Sequence, residues 1–202
     1  MNRTTLGIAA LLTGLVAAPA AAQTQVNAPP TGPFDGVFVE QIGNGNAATF
    51  DQSNNEQNAE LIQDGDDNSA DITQDGDGDH FAGVEQTGND NIAGVSQSGS
   101  AQNVAILTQT GDANTILLSQ NDTGLLGSGA AIAQNGSGNL ATLVQDGSDN
   151  QAIMSQTGDN NTMTATQLGD GNALEWAQNG NGLPDIEVIQ TGGATAIITQ
   201  GN

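Results

Sequence analysis

The sequence has no cysteine and no tyrosine, contains a single lysine or arginine, and carries aromatic residues at only 2% of its 202 positions. Without cysteine, neither disulfide bonds nor thiolate metal sites are available. With a single basic side chain, binding to nucleic acid through phosphate contacts is excluded, and so is attraction to anionic membranes. The shortage of large apolar side chains also argues against the thick core of an ordinary globular domain.

The charge is almost entirely negative. Twenty-three Asp and Glu residues give a formal net charge of −22, and the one basic residue is Arg3. Arg3 begins a segment with an apolar run over residues 6–18 and small residues at Ala20 and Ala22, which is the pattern of a secretory signal. The apolar run is too short to cross a bilayer comfortably. We therefore predict a signal peptide over residues 1–22 and a flexible, proline-containing leader over residues 23–36.

From Gln41 onward a glutamine recurs fifteen times, and nine of the fourteen intervals are eleven residues long. In the unit QNGSGNLATLV, Gln134 is followed by Gly136, Asn139 and then apolar residues at Ala141 and Leu143. From the asparagine onward these positions are spaced by two, as in a β-strand with one buried face. The glycine marks a turn that needs a positive φ. Each unit is therefore predicted to be one strand and one turn.

The strand register is kept where the intervals vary. Apolar residues stand two and four places before each of the fifteen glutamines, so the extra residues fall in turns. A slip of one residue would turn the buried row outward, which explains why strand length is fixed. The longest connection, residues 121–129, is interpreted as a lengthened loop and not as a domain boundary. The outward row is mixed, and we predict that it is mostly polar.

These units predict an all-β fold, a flat two-sheet parallel β-solenoid over residues 37–202 in which two units form one coil. About seven coils would stack at the ordinary inter-strand spacing of about 4.8 Å. The inward amides would then form ladders, each side chain bonding to its copies in the coils above and below. The predicted ladder residues are Gln41, Asn46, Gln52, Gln63, Asn68, Gln74, Gln86, Asn91, Gln97, Gln109, Asn114, Gln120, Gln134, Asn139, Gln145, Asn150, Gln156, Asn161, Gln167, Asn172, Gln178, Gln190 and Gln200.

Acidic side chains are concentrated in the turns, notably in residues 64–67 and 75–79. Stacking is predicted to bring them into columns with carboxylates one strand spacing apart. Their density allows a second interpretation, a monomeric adhesin stabilised by calcium. The EF-hand pattern is not matched, because His80 stands where its glycine would follow Asp79 and Gln86 stands where its glutamate would be. A third interpretation, an ice-binding solenoid, would need a regular outward row of threonine, which is missing.

No catalytic motif is present in the sequence. His80 is the only histidine and occupies a position that is usually asparagine, and a flat stack offers no cleft for a catalytic partner. Trp176 lies on the inward row, where packing explains it. We predict no enzyme activity, no catalytic or metal site and no cofactor.

The unit resembles the repeat of the curlins, which are secreted subunits of bacterial curli fibres. Copies of Gln-x-Gly-x-x-Asn-x-Ala begin at Gln41, Gln63, Gln86, Gln134 and Gln145, and the resemblance extends over residues 37–202. The chain has more repeats than the five double repeats of that family, and its leader contains proline. The resemblance implies a self-assembling extracellular amyloid fibre at the bacterial surface, used in biofilm matrix, adhesion and colonisation. It also implies a nucleating subunit and outer-membrane secretion machinery as partners, with no membrane insertion.

Overall fold

The computed structural model describes residues 36–53 and 56–202, and within them it contains fifteen β-strands. The predicted signal peptide lies outside the described residues, and so does the predicted leader apart from Gly36. No helix in the described part of the chain has the length and hydrophobicity to cross a membrane. The strands are β1 (Gly36–Ile42), β2 (Ala47–Gln52), β3 (Asn58–Asp64), β4 (Ser69–Asp75), β5 (Phe81–Thr87), β6 (Ile92–Gly99), β7 (Val104–Thr110), β8 (Thr115–Asp122), β9 (Gly129–Asn135), β10 (Leu140–Asp146), β11 (Gln151–Thr157), β12 (Thr162–Leu168), β13 (Ala173–Asn179), β14 (Glu187–Thr191) and β15 (Thr195–Gly201).

Successive strands alternate between two parallel sheets. The odd sheet contains the eight odd-numbered strands in the order β1 to β15, and the even sheet contains the seven even-numbered strands from β2 to β14. Every pairing aligns glutamine with glutamine, so that Gln63 of β3 lies between Gln41 of β1 and Gln86 of β5. The prediction of a flat two-sheet parallel β-solenoid of about seven coils is therefore confirmed.

The inner faces of the two sheets form a thin core. Burial alternates along each strand, as in β4, where Ala70, Ile72 and Gln74 are buried and the residues between them are not. This alternation follows from the alternating Cβ directions of an extended chain. Nine strands, β3 to β7 and β9 to β12, each bury one alanine and one larger apolar residue in this core, and the largest fully buried side chain is Trp176 of β13.

The outer face of the odd sheet is less polar than predicted. Phe81, Val104, Ile106, Ala131 and Ile153 alternate with core residues and lie on this outer face, yet each is at most 9% exposed, and together they form a second apolar cluster. They occupy adjacent places in β5, β7, β9 and β11. Successive units of the sequence belong to alternate sheets, so residues that are neighbours in this cluster are separated in the sequence by a unit of the other sheet.

The long interval between Gln120 and Gln134 is taken up by a surface loop. Strand β8 ends at Asp122 and β9 begins at Gly129, and between them Leu125 is 98% exposed. Because β7 pairs with β9 and β8 pairs with β10, the stack continues across this loop.

Candidate functional site

Two continuous glutamine ladders run through the stack, one on the inner face of each sheet. In every step, Nε2 of one glutamine donates to Oε1 of the glutamine in the next coil. The odd-sheet ladder runs from Gln41 to Gln200, and the even-sheet ladder runs from Gln52 to Gln190. The thirteen bonds measure 2.6–3.0 Å. All the glutamines predicted as ladder residues take part, and their role in a fibre core stays a prediction.

The same glutamines tie the two sheets together. Nε2 of Gln97 also donates to the carbonyl oxygen of Phe81 at 3.0 Å, and Nε2 of Gln145 donates to that of Gly129 at 3.1 Å. Both amide hydrogens are therefore used within the core. An unpaired buried amide group costs about 1–3 kcal/mol, so the ladder stabilises the fold as an unbroken run.

In the turns from the odd to the even sheet, each asparagine closes the turn of a neighbouring coil. Nδ2 of Asn68 donates to the carbonyl oxygen of Gly88 at 2.7 Å, and Oδ1 of Asn68 accepts the backbone N–H of Asn91 at 3.1 Å. These asparagines thus bond to the backbone as well as to one another, and not only amide to amide as predicted. The column consists of Asn46, Asn68, Asn91, Asn114, Asn139 and Asn161.

The glycine of the repeat is required by the same turn. Gly65 and Gly88 have φ values of +131° and +114°, a region that L side chains rarely adopt. A Cβ atom on Gly65 would also collide with the carbonyl oxygen of Gly88, which is the oxygen that Asn68 binds. The spacing Gln-x-Gly-x-x-Asn therefore encodes a ladder, a close backbone approach and a cap within one turn.

The turns from the even to the odd sheet carry a less regular column, in which the sequence analysis missed the buried Gln57 and Ser128. Oγ of Ser128 accepts the backbone N–H of Asn150 at 3.2 Å, replacing an asparagine oxygen. Both residues stand six places before a ladder glutamine, Gln63 and Gln134, and that spacing could have identified them. Nδ2 of Asn150 is buried without a hydrogen-bond partner, so the prediction that the ladders pair every amide is wrong here.

His80 belongs to this second column and acts as a neutral substitute for asparagine. Its Nδ1 accepts the backbone N–H of Asn103 at 3.2 Å, which requires Nε2 to carry the proton that it shares with the carbonyl oxygen of Asp75 at 3.0 Å. Burial lowers the pKa of His80, and this outweighs the opposing effects of the Asp75 carbonyl and of the carboxylates of Asp122, Asp79 and Asp75. Protonated Nδ1 would place two donors face to face at the Asn103 amide.

We expect His80→Asn to remove an acid sensitivity of the fold. Because the pKa of His80 is lowered in the folded state, the unfolded chain binds the proton more readily. The stability that neutral His80 contributes is therefore fully present above the ordinary histidine pKa of about 6.5 and is lost as pH falls through the lowered pKa of the folded state. The free energy of unfolding falls by about 1.4 kcal/mol for each unit by which folding lowers this pKa. Urea unfolding of both chains between pH 7.5 and about pH 5 measures the difference. A difference that stays constant over this range would contradict the neutral assignment.

The outermost turn column separates its carboxylates. Asp66 accepts the backbone N–H of Asn44 at 2.7 Å and donates its own backbone N–H to Asn89 at 3.0 Å, and the alternation continues to the far end of the stack. The prediction that carboxylates stack one strand spacing apart is therefore wrong for this column. Carboxylates in every second coil lie about 9.6 Å apart, which is twice the inter-strand spacing. Their Coulomb repulsion is therefore half of that between carboxylates in adjacent coils at the same dielectric constant. The column reads Asn44, Asp66, Asn89, Asp112, Ser137, Asp159, Asn181.

Two carboxylates lie where negative charge is unfavourable. Burial, followed by the charge of Glu85, raises the pKa of Glu60. Burial also raises the pKa of Asp122, whose Oδ1 accepts from the backbone N–H of Gly124 and from Ser148 Oγ while Oδ2 is buried and unpaired. Both groups reduce folding stability at neutral pH and cease to do so as pH falls through their raised values.

Residues 36–53 and 56–202 contain no group of three or more His, Asp or Glu side chains arranged to hold a metal ion. The acidic turns at 64–67 and 75–79 lie within this range. The carboxylates of Asp66, Asp112, Asp159 and Asp170 each accept a backbone N–H group of an adjacent coil, as Asp159 does from Ser137 at 2.8 Å. The acidity of the turns thus has a structural use in joining one coil to the next.

Comparison with known families shows two matches to the curlin associated repeat, at residues 65–99 and 128–158. The first match covers β4 to β6 and the second covers β9 to β11, so one lies on each side of the long loop. Both contain the glutamine ladders, the glycine turns and the asparagine caps described above. No curated protein and no solved structure matches the chain.

Proposed function

We propose that this chain, which carries two matches to the curlin associated repeat, is the subunit of an extracellular fibre that grows by end-to-end stacking of copies. Curlins are secreted structural subunits of fibres and are not known as enzymes. The repeat matches support self-assembly, and the open ends of the described stack are the observation that carries the proposal.

The first coil of the stack exposes residues that are core elsewhere. Val37 and Val39 of β1 are 45% and 42% exposed, whereas Ala59 and Leu61, their partners in β3, are 3% and 0% exposed. Among the described residues, β1 and β2 begin their sheets and β14 and β15 end them. Each of these strands therefore has an edge whose backbone groups no described strand pairs, which is a template for another strand.

The two ends are complementary to each other and not to themselves. All ladder bonds point the same way, so in the described structure Oε1 of Gln41 and of Gln52 receives no hydrogen bond. At the far end no described residue offers Gln190 or Gln200 a further glutamine oxygen, and their Nε2 atoms donate only to backbone carbonyls. A contact between unlike ends that repeats without closing a ring produces a filament.

We further propose that residues 1–22 direct secretion, that residues 23–36 form a leader before the solenoid, and that the fibre contributes to adhesion and biofilm matrix. A nucleating subunit and an outer-membrane exporter would be its partners, by analogy with the family. Gly36, the last residue of the predicted leader, is also the first residue of β1.

Purified chain lacking residues 1–22 is expected to form fibres in the presence of a calcium chelator. Fibre diffraction should show the strand spacing of about 4.8 Å and the sheet spacing of about 10 Å. Preformed fragments added as seeds should shorten the lag, because they offer the ends on which coils stack. Electron microscopy and an amyloid dye measure both effects.

The matched variants are Val39→Lys and Phe38→Lys, adjacent residues of β1 that face the core and the solvent. A charge on the inward Val39 should block growth at the open end, whereas a charge on the outward Phe38 should leave fibres intact. A chain that stays monomeric under all conditions and gains thermal stability with calcium would instead support the adhesin interpretation.

A further inference from the structure

The two ends of the described stack both expose a strand of the odd sheet at the outermost place. Strand β1 begins the odd sheet, β15 ends it, and the even sheet has one strand fewer. We propose that successive copies in the fibre are related by a half-turn about the fibre axis, so that β1 of one copy pairs with β14 of the copy before it and β2 pairs with β15. This inference rests on the proposed end-to-end assembly and adds the arrangement of the contact.

The half-turn follows from the alternation of strands. Successive strands alternate between the sheets, so the strand position that follows β15 of the odd sheet lies in the even sheet, beside β14. A copy added without rotation would place its β1 beside β15 and leave that even-sheet place empty. Strand β14 and the β2 of the added copy would then stand about 9.6 Å apart, two inter-strand spacings.

An empty place would be unfavourable in this core. The facing edges of β14 and of the added β2 would leave their backbone N–H and C=O groups unpaired inside the fibre. The inward side chains Ala196 and Ile198 of β15, which pack against the core, would have no strand opposite them on the side of the added copy. Rotation by a half-turn fills the place and removes both defects.

Rotation is possible because the two sheets present the same inward order of residues. With the half-turn, Gln190 of the even sheet would meet Gln41 of the next copy, and Gln200 of the odd sheet would meet its Gln52. The donors at one end then face the free Oε1 acceptors at the other. Both ladders continue through the contact, and Val188 would stack on Val39 as one core residue on another.

The outward neighbours across this contact are also compatible. Phe38 in β1 and Thr49 in β2 point outward and lie three places before the ladder glutamine of their strand. Glu187 in β14 and Ile197 in β15 occupy the same place relative to theirs. The half-turn would set Phe38 beside Glu187 and Thr49 beside Ile197, and no carboxylate would meet another. The apolar cluster on the outer odd sheet would appear on opposite sides of the fibre in successive copies, about 36 Å apart along the axis.

Unit deletions provide an imaging test of the strand count. Removing residues 146–156 takes out one strand and one turn while keeping the glutamine register, so the even strand number should abolish the half-turn. Removing residues 146–167 takes out two units and should keep it, with a rise per copy shorter by about 4.8 Å. Helical reconstruction of the three fibres compares their rotation per copy, and a half-turn in the one-unit deletion would overturn the proposal.

Cysteine pairs test the contact in the full chain, which has no cysteine of its own. In-register neighbours have Cα atoms about 4.8 Å apart, within the range that a disulfide spans. Fibres of F38C/E187C and of T49C/I197C should form covalent multimers on oxidation, whereas F38C/I197C and each single variant should remain monomeric in denaturing gels. Multimers from F38C/I197C, or from none of the pairs in intact fibres, would overturn the half-turn. The absence of fibres in every variant and in the parent chain would instead overturn the proposed function.

Discussion

Alanine in place of Gln145 or Gln156 is expected to lower the free energy of unfolding by about 2–5 kcal/mol, since each change leaves several buried polar groups unpaired. Gln145 accepts from Gln120, donates to Gln167 and donates to the carbonyl oxygen of Gly129. Gln156 makes the equivalent three bonds in the odd sheet. No water can reach these positions while the coils remain stacked, because Gln145, Gln156 and their ladder partners are at most 1% exposed.

Urea unfolding of the monomer, followed by the fluorescence of the buried Trp176, measures this loss. The matched controls are Thr142→Ala and Ser155→Ala, which lie in the same two strands but point outward and should change the free energy by less than about 0.5 kcal/mol. Fibre formation should slow in the glutamine variants and be unaffected in the controls. If the outward changes were the damaging ones, the inner and outer faces of β10 and β11 would have to be exchanged.

The parallel solenoid was predictable because every repeat unit contains the residues that a strand, a turn and a fixed register each require. Period-two apolar residues give the strand, Gly65 and its equivalents give the positive φ, and the glutamines fix the register. Each requirement concerns residues that are close in sequence, or copies that lie one coil away at a nearly constant separation. For that reason a single chain was enough to establish the architecture and the glutamine ladders.

The features that the sequence did not predict depend on which of the two sheets contains the strand of each unit. The apolar cluster of Phe81, Val104 and Ile153 is invisible in the sequence because units of the even sheet separate its members. The spacing of acids is hidden for the same reason, since Asp66 stacks on Asn44 and Asn89, which are two units away. The roles of His80 and Ser128 required atomic contacts, because each replaces an asparagine with different chemistry at the same place.

An alanine inserted between Met154 and Ser155 is expected to reduce the free energy of unfolding by about 5 kcal/mol or more, a large share of the stability of a typical domain. The insertion leaves β11 with two unfavourable alternatives. If the end of the strand shifts, Gln156 turns outward and its ladder bonds with Gln134 and Gln178 are lost. If the start shifts, Ala152 and Met154 leave the core, and the loss of a buried apolar side chain alone costs about 2–5 kcal/mol.

A glycine inserted between Ser148 and Asp149 provides the control, because it adds the same length to the turn that precedes the same strand. The equivalent turns before Gln86 and Gln109 already belong to twelve-residue intervals, and the loop before Gln134 belongs to one of fourteen, while the pairing of β5, β7 and β9 stays in register. Loop closure depends only weakly on length, so the loss should stay near 1 kcal/mol. Urea midpoints from Trp176 fluorescence and the yield of seeded fibres measure both variants. Equal losses from the two insertions would contradict the division of each unit into a register-fixed strand and a length-tolerant turn, because both insertions displace the same downstream coils and differ only in the element that receives the extra residue.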